Sequence, residues 1–228
     1  MLCGSMRTGG RSKILRISTA AAFVLTTFLL NIPRVAGADD AESANKGMPN
    51  LELTILDTEG VPRALRPNHD RAALVVVFLG TECPIANACI PELNRQFAEL
   101  VEVDSHVAFF GVISDRSVTR GAAARHATQF KIKFPVLFDA SGELAEALQP
   151  THTPETFVID RDGRLAYRGR IDDLYADLGK KRTEASRHDL AEAIADVLAA
   201  RPVAMPRTEP VGCLYEPVRP NECSFSLT

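Results

Sequence analysis

Runs of apolar residues predict a single α/β domain over residues 50–200. The segments ALVVVFLG (73–80) and HVAFFGVISD (106–115) are continuous apolar stretches, which is typical of strands buried on both faces. LELTILD (51–57) alternates apolar and polar positions and predicts a half-buried strand. KFPVLFD (133–139) predicts another strand, and THTPETFVIDRDGRLAYRGR predicts a hairpin that turns at RDGR.

The segments between these strands show helical periodicity. We predict a long helix over residues 84–103, shorter helices over about 117–130 and 141–148, and a final amphipathic helix over 187–200. Residues 171–186 are polar and are expected to be irregular. The resulting order, βαβαβ(α)ββα, combines a parallel half with an antiparallel hairpin. It predicts a central mixed sheet flanked by helices on both faces.

Residues 1–38 have the layout of a secretory signal peptide. Basic residues precede the apolar run ISTAAAFVLTTFLL, and Ala36 and Ala38 form a small-x-small cleavage signal. The apolar run is shorter than the ~20 residues that a membrane-spanning helix needs. We therefore expect an exported protein, periplasmic or otherwise extracytoplasmic, that is attached to a membrane only if the signal is left uncleaved. Residues 39–49 are polar and are expected to form a flexible leader.

Cleavage of this signal would make the protein clearly acidic. The full chain has 26 Lys and Arg against 29 Asp and Glu, and residues 1–38 carry five of the basic residues and no acidic one. The cleaved chain would thus have 21 basic and 29 acidic residues. Because no basic patch remains to attract phosphates, we expect no nucleic-acid partner.

Cys83 is the main candidate for chemistry. Four cysteines follow the predicted cleavage point, and an even number in an exported chain permits disulfides. Cys83 lies where a buried strand meets a helix, and the helix N-terminus favours its thiolate. We therefore predict that Cys83 is a nucleophile. The alternative is an inert buried thiol.

Three local features of residues 50–200 resemble the thioredoxin fold. Cys83 follows a buried strand and opens a helix, and Pro91 lies where thioredoxin-like proteins kink that helix. Thr153-Pro154 precedes the strand ETFVID, at the place of the cis-proline that faces the active cysteine in this family. The resemblance therefore implies a thioredoxin fold with Cys83 and Pro154 in the site, and no cofactor or metal is expected.

The segment that contains KFPVLFD makes the chain similar to the redoxin branch of this fold, which groups alkyl hydroperoxide reductase/thiol-specific antioxidant proteins with TlpA-type reductases. FLGTECPIAN, YRGRIDD and EPVGC resemble a group of exported bacterial redoxin-domain proteins. Two departures stand beside this resemblance. Thioredoxin-type reductases have a second cysteine three residues after the first, where this chain has Ala86. Peroxiredoxins have a threonine three residues before their cysteine and a proline seven before it, where this chain has Gly80 and Val76, with Thr81 one residue out of register.

The partner of Cys83 is open: it is Cys89, Cys213 or neither. Cys89 lies six residues further along the helix, about 9 Å of rise, which is too far for a disulfide while the helix is intact. Packing is therefore the preferred interpretation of Cys89, and a local redox pair is the alternative. Residues 201–228 are proline-rich and predict an extended tail. In this fold the last helix ends opposite the active site, and the 13 residues up to Cys213 span about 40 Å when extended, enough to return to Cys83. Cys213 is thus predicted either to react with Cys83 or to pair with Cys223.

His152 and two arginines are further candidates. Because His152 lies next to the Thr-Pro pair, and cysteine and histidine bind copper, a copper metallochaperone like those of the same fold is a less favoured alternative. The C-x3-C motif of those proteins is absent, since Asn87 occupies the second cysteine position. Arg168 and Arg170 either stabilise a thiolate or anion or, as we prefer, form the solvated face of an edge strand.

These features together predict an exported thiol oxidoreductase. Cys83 would attack a disulfide or a peroxide and a second cysteine would resolve the product. The expected partners are a protein disulfide or peroxide substrate and an external thiol electron donor. The alternative is a non-catalytic binding module of the same fold, in which Cys83 is held in a structural disulfide with a cysteine such as Cys213.

Overall fold

The structure, a computed structural model, describes residues 51–66, 71–103 and 106–216. The predicted signal peptide, the predicted leader and Cys223 lie outside these residues. Among the described residues, no helix has both the length and the apolar character needed to cross a membrane.

The described part of the chain contains short strands and four helices. In chain order these are β1 (Thr54–Leu56), β2 (Pro62–Ala64), β3 (Ala73–Phe78), α1 (Pro84–Val103), β4 (Val107–Ile113), α2 (Arg120–Gln129), β5 (Val136–Phe138), α3 (Glu143–Leu148), β6 (His152–Thr153), β7 (Glu155–Asp160), β8 (Leu165–Gly169), β9 (Tyr175–Asp177), β10 (Lys180–Lys181), α4 (Asp189–Leu198) and β11 (Cys213–Leu214).

Five of these strands form the central sheet, in the order β5-β4-β3-β7-β8. Strand β3 is in the middle, parallel to β4 and antiparallel to β7, and β4 is parallel to β5. Every residue of β3 is buried, which explains why its sequence is continuously apolar. The mixed sheet predicted from the sequence is therefore confirmed.

Helices cover both faces of this sheet. On one face, Val75 and Val77 of β3 belong to a core with apolar residues of α1 and α4, such as Leu93 and Leu190. On the other face, alternate residues of β3 pack with α3, the hairpin β1–β2 and their neighbours. Because successive side chains of a strand point to opposite faces, one buried strand supplies both cores.

Two segments differ from the sequence-based expectation or extend it. Strands β9 and β10 form a small antiparallel pair inside the stretch that was expected to be irregular. The tail runs back along the edge of the sheet after α4, where Arg207 bridges to Arg168 of β8 and Thr208 N–H donates to the Arg168 carbonyl over 3.1 Å. It then pairs β11 with β6 in an antiparallel arrangement. This pairing brings the tail to the end of the sheet where α1 begins.

The Thr208 hydroxyl fixes the middle of the tail. It lies 2.7 Å from the Tyr167 hydroxyl and accepts a hydrogen bond from Arg170 N–H over 3.0 Å. Gly169 has a φ of +146°, and a Cβ at this position would lie 2.2 Å from the Thr208 Oγ1. Only glycine permits both this backbone conformation and this close approach.

Candidate active site

Cys83 lies directly before α1, at the end of the loop that follows β3. The residue is 3% exposed. Its thiol donates a hydrogen bond to the Thr153 carbonyl over 2.9 Å, and Ala86 N–H donates to the Cys83 Sγ over 3.4 Å. Ala86 belongs to the first turn of α1, where backbone N–H groups have no helical partner, so the helix N-terminus is directed at the sulfur.

The neighbours of Cys83 are packed closely around it. The Thr153-Pro154 peptide bond is cis, as the family resemblance implied. A Cβ at position 80 would lie 2.8 Å from the Thr153 Oγ1 and 3.1 Å from the Cys83 Cβ. Gly80, the departure from the peroxiredoxin pattern, therefore has a steric reason: the Thr153 side chain fills the space that a larger residue needs.

The tail brings Cys213 beside Cys83. Cys213 is the register partner of Thr153 in the β11–β6 pair, and the next-but-one residue, Tyr215, donates its N–H to the Thr151 carbonyl over 2.8 Å. A Cβ at Gly212 would lie 2.0 Å from the Thr153 carbonyl oxygen, so only glycine permits the strand to lie this close. Cys83, Cys89 and Cys213 are all free thiols in this structure.

The two neighbouring thiols have opposite pKa shifts. Burial is the largest single influence on Cys83 and disfavours its ionisation. Hydrogen bonds from the Cys213 side chain and from the Ala86 and Cys213 backbone outweigh it, so the pKa of the Cys83 thiol is lowered. Its hydrogen bond to Cys83, its burial and the charge of Cys83 raise the pKa of Cys213 to about 11. Of these two thiols, Cys83 is therefore the one that ionises more readily.

Cys89 has the properties of a packing residue. It is buried in the core between α1 and the sheet. Burial first, and then the charges of Asp172 and Cys83, raise the pKa of Cys89 to about 12. A thiol that stays protonated in an apolar core is a poor nucleophile, so this environment favours packing over the local redox pair.

His152 lies outside the wall of the cavity that Cys83 and Cys213 line. Its Nδ1 lies 3.0 Å from the Thr151 Oγ1, and the residue is not among those that line the cavity beside Cys83. Within the described residues, the one group of three potential metal ligands is Glu92, Asp172 and His188, which includes none of the cysteines. This part of the chain therefore offers no three-ligand copper site at Cys83.

Arg168 lies on the edge strand β8, as expected, but the interpretation of Arg168 and Arg170 as a solvated face is wrong. Arg168 forms an ion pair with Glu155 at 2.6 Å, and Arg170 forms one with Asp189 at 2.7 Å; both carboxylates are about 1% exposed. The acidic partners come from β7 and from α4, so folding brings them to the arginines over 13 and 19 residues of chain. Neither arginine lines the cavity at Cys83.

A cavity of about 480 Å³ opens beside Cys83 and Cys213. Polar residues form much of its wall, including Thr81, Glu82 and residues 114–117, and Tyr215 also lines it. Small molecules can enter a cavity of this size. Tyr215 and Gly212 were not predicted from the sequence as site residues, although a glycine directly before Cys213 is a signal for close backbone approach.

Comparisons with known proteins find a relative that is named a thiol-disulfide oxidoreductase. The thiol-disulfide oxidoreductase ResA of Bacillus thuringiensis subsp. konkukian is 27% identical over 120 residues, which are 53% of this chain and 65% of ResA. The chain thus spans slightly less than two thirds of the length of this curated relative.

Solved structures share the fold. A hypothetical protein from Sinorhizobium meliloti 1021 superimposes with a TM-score of 0.63 and 25% identity, over 74% of this chain and 92% of its own. An uncharacterized conserved protein from Geobacillus kaustophilus gives a TM-score of 0.63 and 23% identity, over 77% and 94% of the two chains. The thioredoxin-like fold predicted from the sequence is confirmed. The Redoxin family model matches residues 43–180, which are more than half of the sequence and include β3, Cys83 and α1. The chain therefore belongs to the Redoxin family.

Proposed function

We propose that the protein is an exported thiol oxidoreductase in which Cys83 is the nucleophile and Cys213 is the resolving thiol. The observation that carries this proposal is that Cys213 pairs in register with Thr153, whose carbonyl accepts the Cys83 hydrogen bond, so that both cysteines line one cavity. The lowered pKa of Cys83 and the raised pKa of Cys213 support these two roles. The name of the related ResA, a thiol-disulfide oxidoreductase, supports the same class of reaction. The layout of residues 1–38 supports export.

With a disulfide substrate, the Cys83 thiolate attacks one sulfur and breaks the substrate S–S bond. One substrate sulfur leaves as a thiolate and takes up a proton, and the other stays in a mixed disulfide with Cys83. Cys213 then attacks the Cys83 sulfur and releases the second substrate thiol. The substrate gains two electrons, and the protein ends with a Cys83–Cys213 disulfide that an external dithiol must reduce.

With a hydroperoxide, the Cys83 thiolate attacks the terminal peroxide oxygen and breaks the O–O bond. The products are Cys83 sulfenic acid and, after protonation, water or an alcohol. The Cys213 thiol then displaces water from the sulfenic acid, and the same Cys83–Cys213 disulfide forms. Both reactions therefore use the same pair of sulfurs and the same external dithiol.

Cys213 loses its proton more readily after Cys83 has reacted than before. Its raised pKa depends first on the hydrogen bond to Cys83, then on burial and on the charge of Cys83. Once Cys83 is a mixed disulfide or a sulfenic acid, its sulfur carries no negative charge and holds the proton less strongly. The pKa of Cys213 then falls, and the resolving thiolate becomes available only after the first step.

Pro154 is proposed as a positioning residue. Its ring lies against the tail, because a Cβ at Gly212 would be 3.1 Å from the Pro154 Cδ. It also follows Thr153, whose carbonyl accepts the hydrogen bond of Cys83. Pro154 thus supports the backbone to which both sulfurs are fixed.

The second candidate function is a non-catalytic binding module with a structural Cys83–Cys213 disulfide. The specific observation that favours it is the burial of Cys83, because buried, relaxed disulfides resist reduction. The copper metallochaperone interpretation has no comparable support among the described residues.

Oxidation followed by peptide mapping tests the proposal. Treatment of the reduced protein with one equivalent of hydrogen peroxide or a small disulfide should give a Cys83–Cys213 crosslinked peptide, and mild dithiol treatment should remove it. Cys83→Ser should abolish consumption of the oxidant, whereas the matched variant Cys89→Ala should retain it.

Two results would contradict the proposal. A Cys83–Cys213 bond that survives mild reductant under native conditions would favour the structural disulfide. A Cys213–Cys223 crosslink with Cys83 free would remove Cys213 from the mechanism.

A further inference from the structure

Residues 209–216, which we call the tail strap, occupy the backbone edge next to Cys83. Strand β11 pairs with β6 so that Cys213 lies opposite Thr153 and Leu214 lies opposite His152. The Tyr215 N–H extends this pairing to the Thr151 carbonyl. The edge formed by residues 151–153 is therefore already paired with a segment of the same chain.

This edge is also a place where an extended polypeptide could bind next to Cys83. The Thr153 carbonyl oxygen lies 2.9 Å from the Cys83 Sγ, so a chain that pairs with residues 151–153 would bring its own sulfur beside Cys83. Extended peptides bind to such an edge by adding a strand. While the tail strap is in place, the edge has no room for a second strand. A small molecule can approach Cys83 through the 480 Å³ cavity while the tail strap, which forms part of the cavity wall, stays in place.

Tyr215 holds the tail strap in this position. Its ring packs edge-to-face against Phe78, at the end of β3, with 6.0 Å between the ring centroids. Its hydroxyl donates to the Ser114 Oγ, directly after β4, over 3.2 Å. The neighbouring Leu214 is 77% exposed, so the side chain of Tyr215 supplies the stronger attachment.

We infer that the tail strap selects the substrate class of the proposed oxidoreductase. Held by Tyr215, it admits small oxidants, such as low-molecular-weight disulfides and hydroperoxides, to Cys83 and excludes protein disulfides. Cys83 breaks the S–S or O–O bond of the small oxidant, and Cys213 completes the two-electron reduction without leaving β6. This inference rests on the proposed function, and Tyr215 is a positioning residue that acts through the tail strap.

The test compares two disulfides of different size. The full-length reduced protein is mixed with oxidised glutathione or with insulin, and the loss of the Cys83 thiol is followed by alkylation and mass spectrometry. Wild-type protein should react readily with oxidised glutathione and slowly with insulin. Tyr215→Ala should raise the ratio of the insulin rate to the oxidised-glutathione rate about tenfold, equivalent to about 1.4 kcal/mol of lost attachment. The oxidised-glutathione rate itself should not rise, because a displaced strap also withdraws the Cys213 hydrogen bonds that lower the pKa of Cys83.

Two matched variants refine the comparison. Tyr215→Phe keeps the ring contact with Phe78 and should raise the insulin rate less than Tyr215→Ala does. Met205→Ala changes an exposed tail residue outside the tail strap and should leave both rates unchanged. Gly212→Ala tests the same point by a different change. Its Cβ would displace the tail strap from Thr153, while the Tyr215 side chain is kept.

The ratio of the two rates decides the inference. A ratio of insulin rate to oxidised-glutathione rate that neither Tyr215→Ala nor Gly212→Ala raises would overturn it. If oxidised glutathione does not consume Cys83 in any of these proteins, then the proposed function itself fails.

Discussion

The Cys83 sulfur has different partners in its two protonation states. As a thiol it donates to the Thr153 carbonyl, and as a thiolate it can only accept hydrogen bonds. The thiolate accepts hydrogen bonds from the Cys213 side chain, from the Ala86 and Cys213 backbone, and from the Thr153 side chain. Because the carbonyl favours the neutral form, these donors together, with the Cys213 side chain first, decide how readily the thiolate forms.

Removal of the Cys213 thiol should therefore make Cys83 less reactive before any resolving step occurs. Cys213→Ala deletes the donor, so the pKa of Cys83 should rise and alkylation of Cys83 near neutral pH should slow about tenfold, since a hydrogen bond to a charged group contributes about 1.5 kcal/mol. Cys213→Ser keeps a hydroxyl donor and should retain most of the rate.

The rate of Cys83 alkylation by iodoacetamide, measured against pH, checks this expectation. The rate follows the thiolate fraction and increases as the pH rises through the pKa of Cys83. Its midpoint should move to higher pH in Cys213→Ala and move less in Cys213→Ser. A midpoint at or below that of the wild type in the alanine variant would show that Cys213 does not stabilise the thiolate.

At the scale of elements, the Glu155 carboxylate joins the hairpin β7–β8 to the turn before β6. One oxygen pairs with Arg168 of β8, and the other accepts hydrogen bonds from the Thr151 N–H at 2.6 Å and the Thr151 hydroxyl at 3.0 Å. Arg168 also lies over the Phe157 ring, 5.1 Å from its centroid. The ion pair thus fixes the segment with which the tail strap pairs.

Arg168→Ala should destabilise the protein by about 3 kcal/mol, because it leaves a buried carboxylate without its cation. The matched control is Arg164→Ala, whose partner Asp162 is exposed, and here the cost should be at most about 0.5 kcal/mol. Urea unfolding at neutral pH gives both free energies. Equal losses in the two variants would mean that the Glu155–Arg168 pair contributes no more than a surface pair.

The strands and helices also show how much of the fold the sequence alone predicts. The buried strand β3 and the helix α1 were predicted because apolar runs and helical periodicity are local signals. Strands β9 and β10 were missed because YAD and KK carry no apolar alternation. The two-residue strand β11 exists only through its pairing with β6, which no local pattern encodes.

The site was predictable to a similar extent. The position of Cys83 follows from its place at the start of a helix, and the length of the tail made contact with Cys213 feasible. The environments of Arg168 and Arg170 could not be predicted, because their acidic partners become neighbours only after folding. Tyr215 was missed for the same reason: Phe78 and Ser114 are distant in sequence.

At the scale of the whole molecule, we predict that the mature protein begins near Asp39 and is exported. The tripartite pattern of residues 1–38 is the basis for this prediction. N-terminal sequencing of the protein from the extracytoplasmic fraction should find Asp39 or a close neighbour as the first residue. Recovery of Met1 from that soluble fraction would contradict it.

The attachment of Thr208 next to Gly169 limits how far Cys213 can move from Cys83. Thr208 is held by Tyr167 and by the Arg170 N–H, separately from the β11–β6 pair. The five residues from Thr208 to Cys213 extend to at most about 17 Å, so a detached tail strap stays on a short tether. Within that radius the local concentration of the Cys213 thiol is of millimolar order, far above that of a free competing thiol at micromolar levels. A protein disulfide that reaches Cys83 while the tail strap is detached must therefore compete with the tethered strap for the edge beside Cys83.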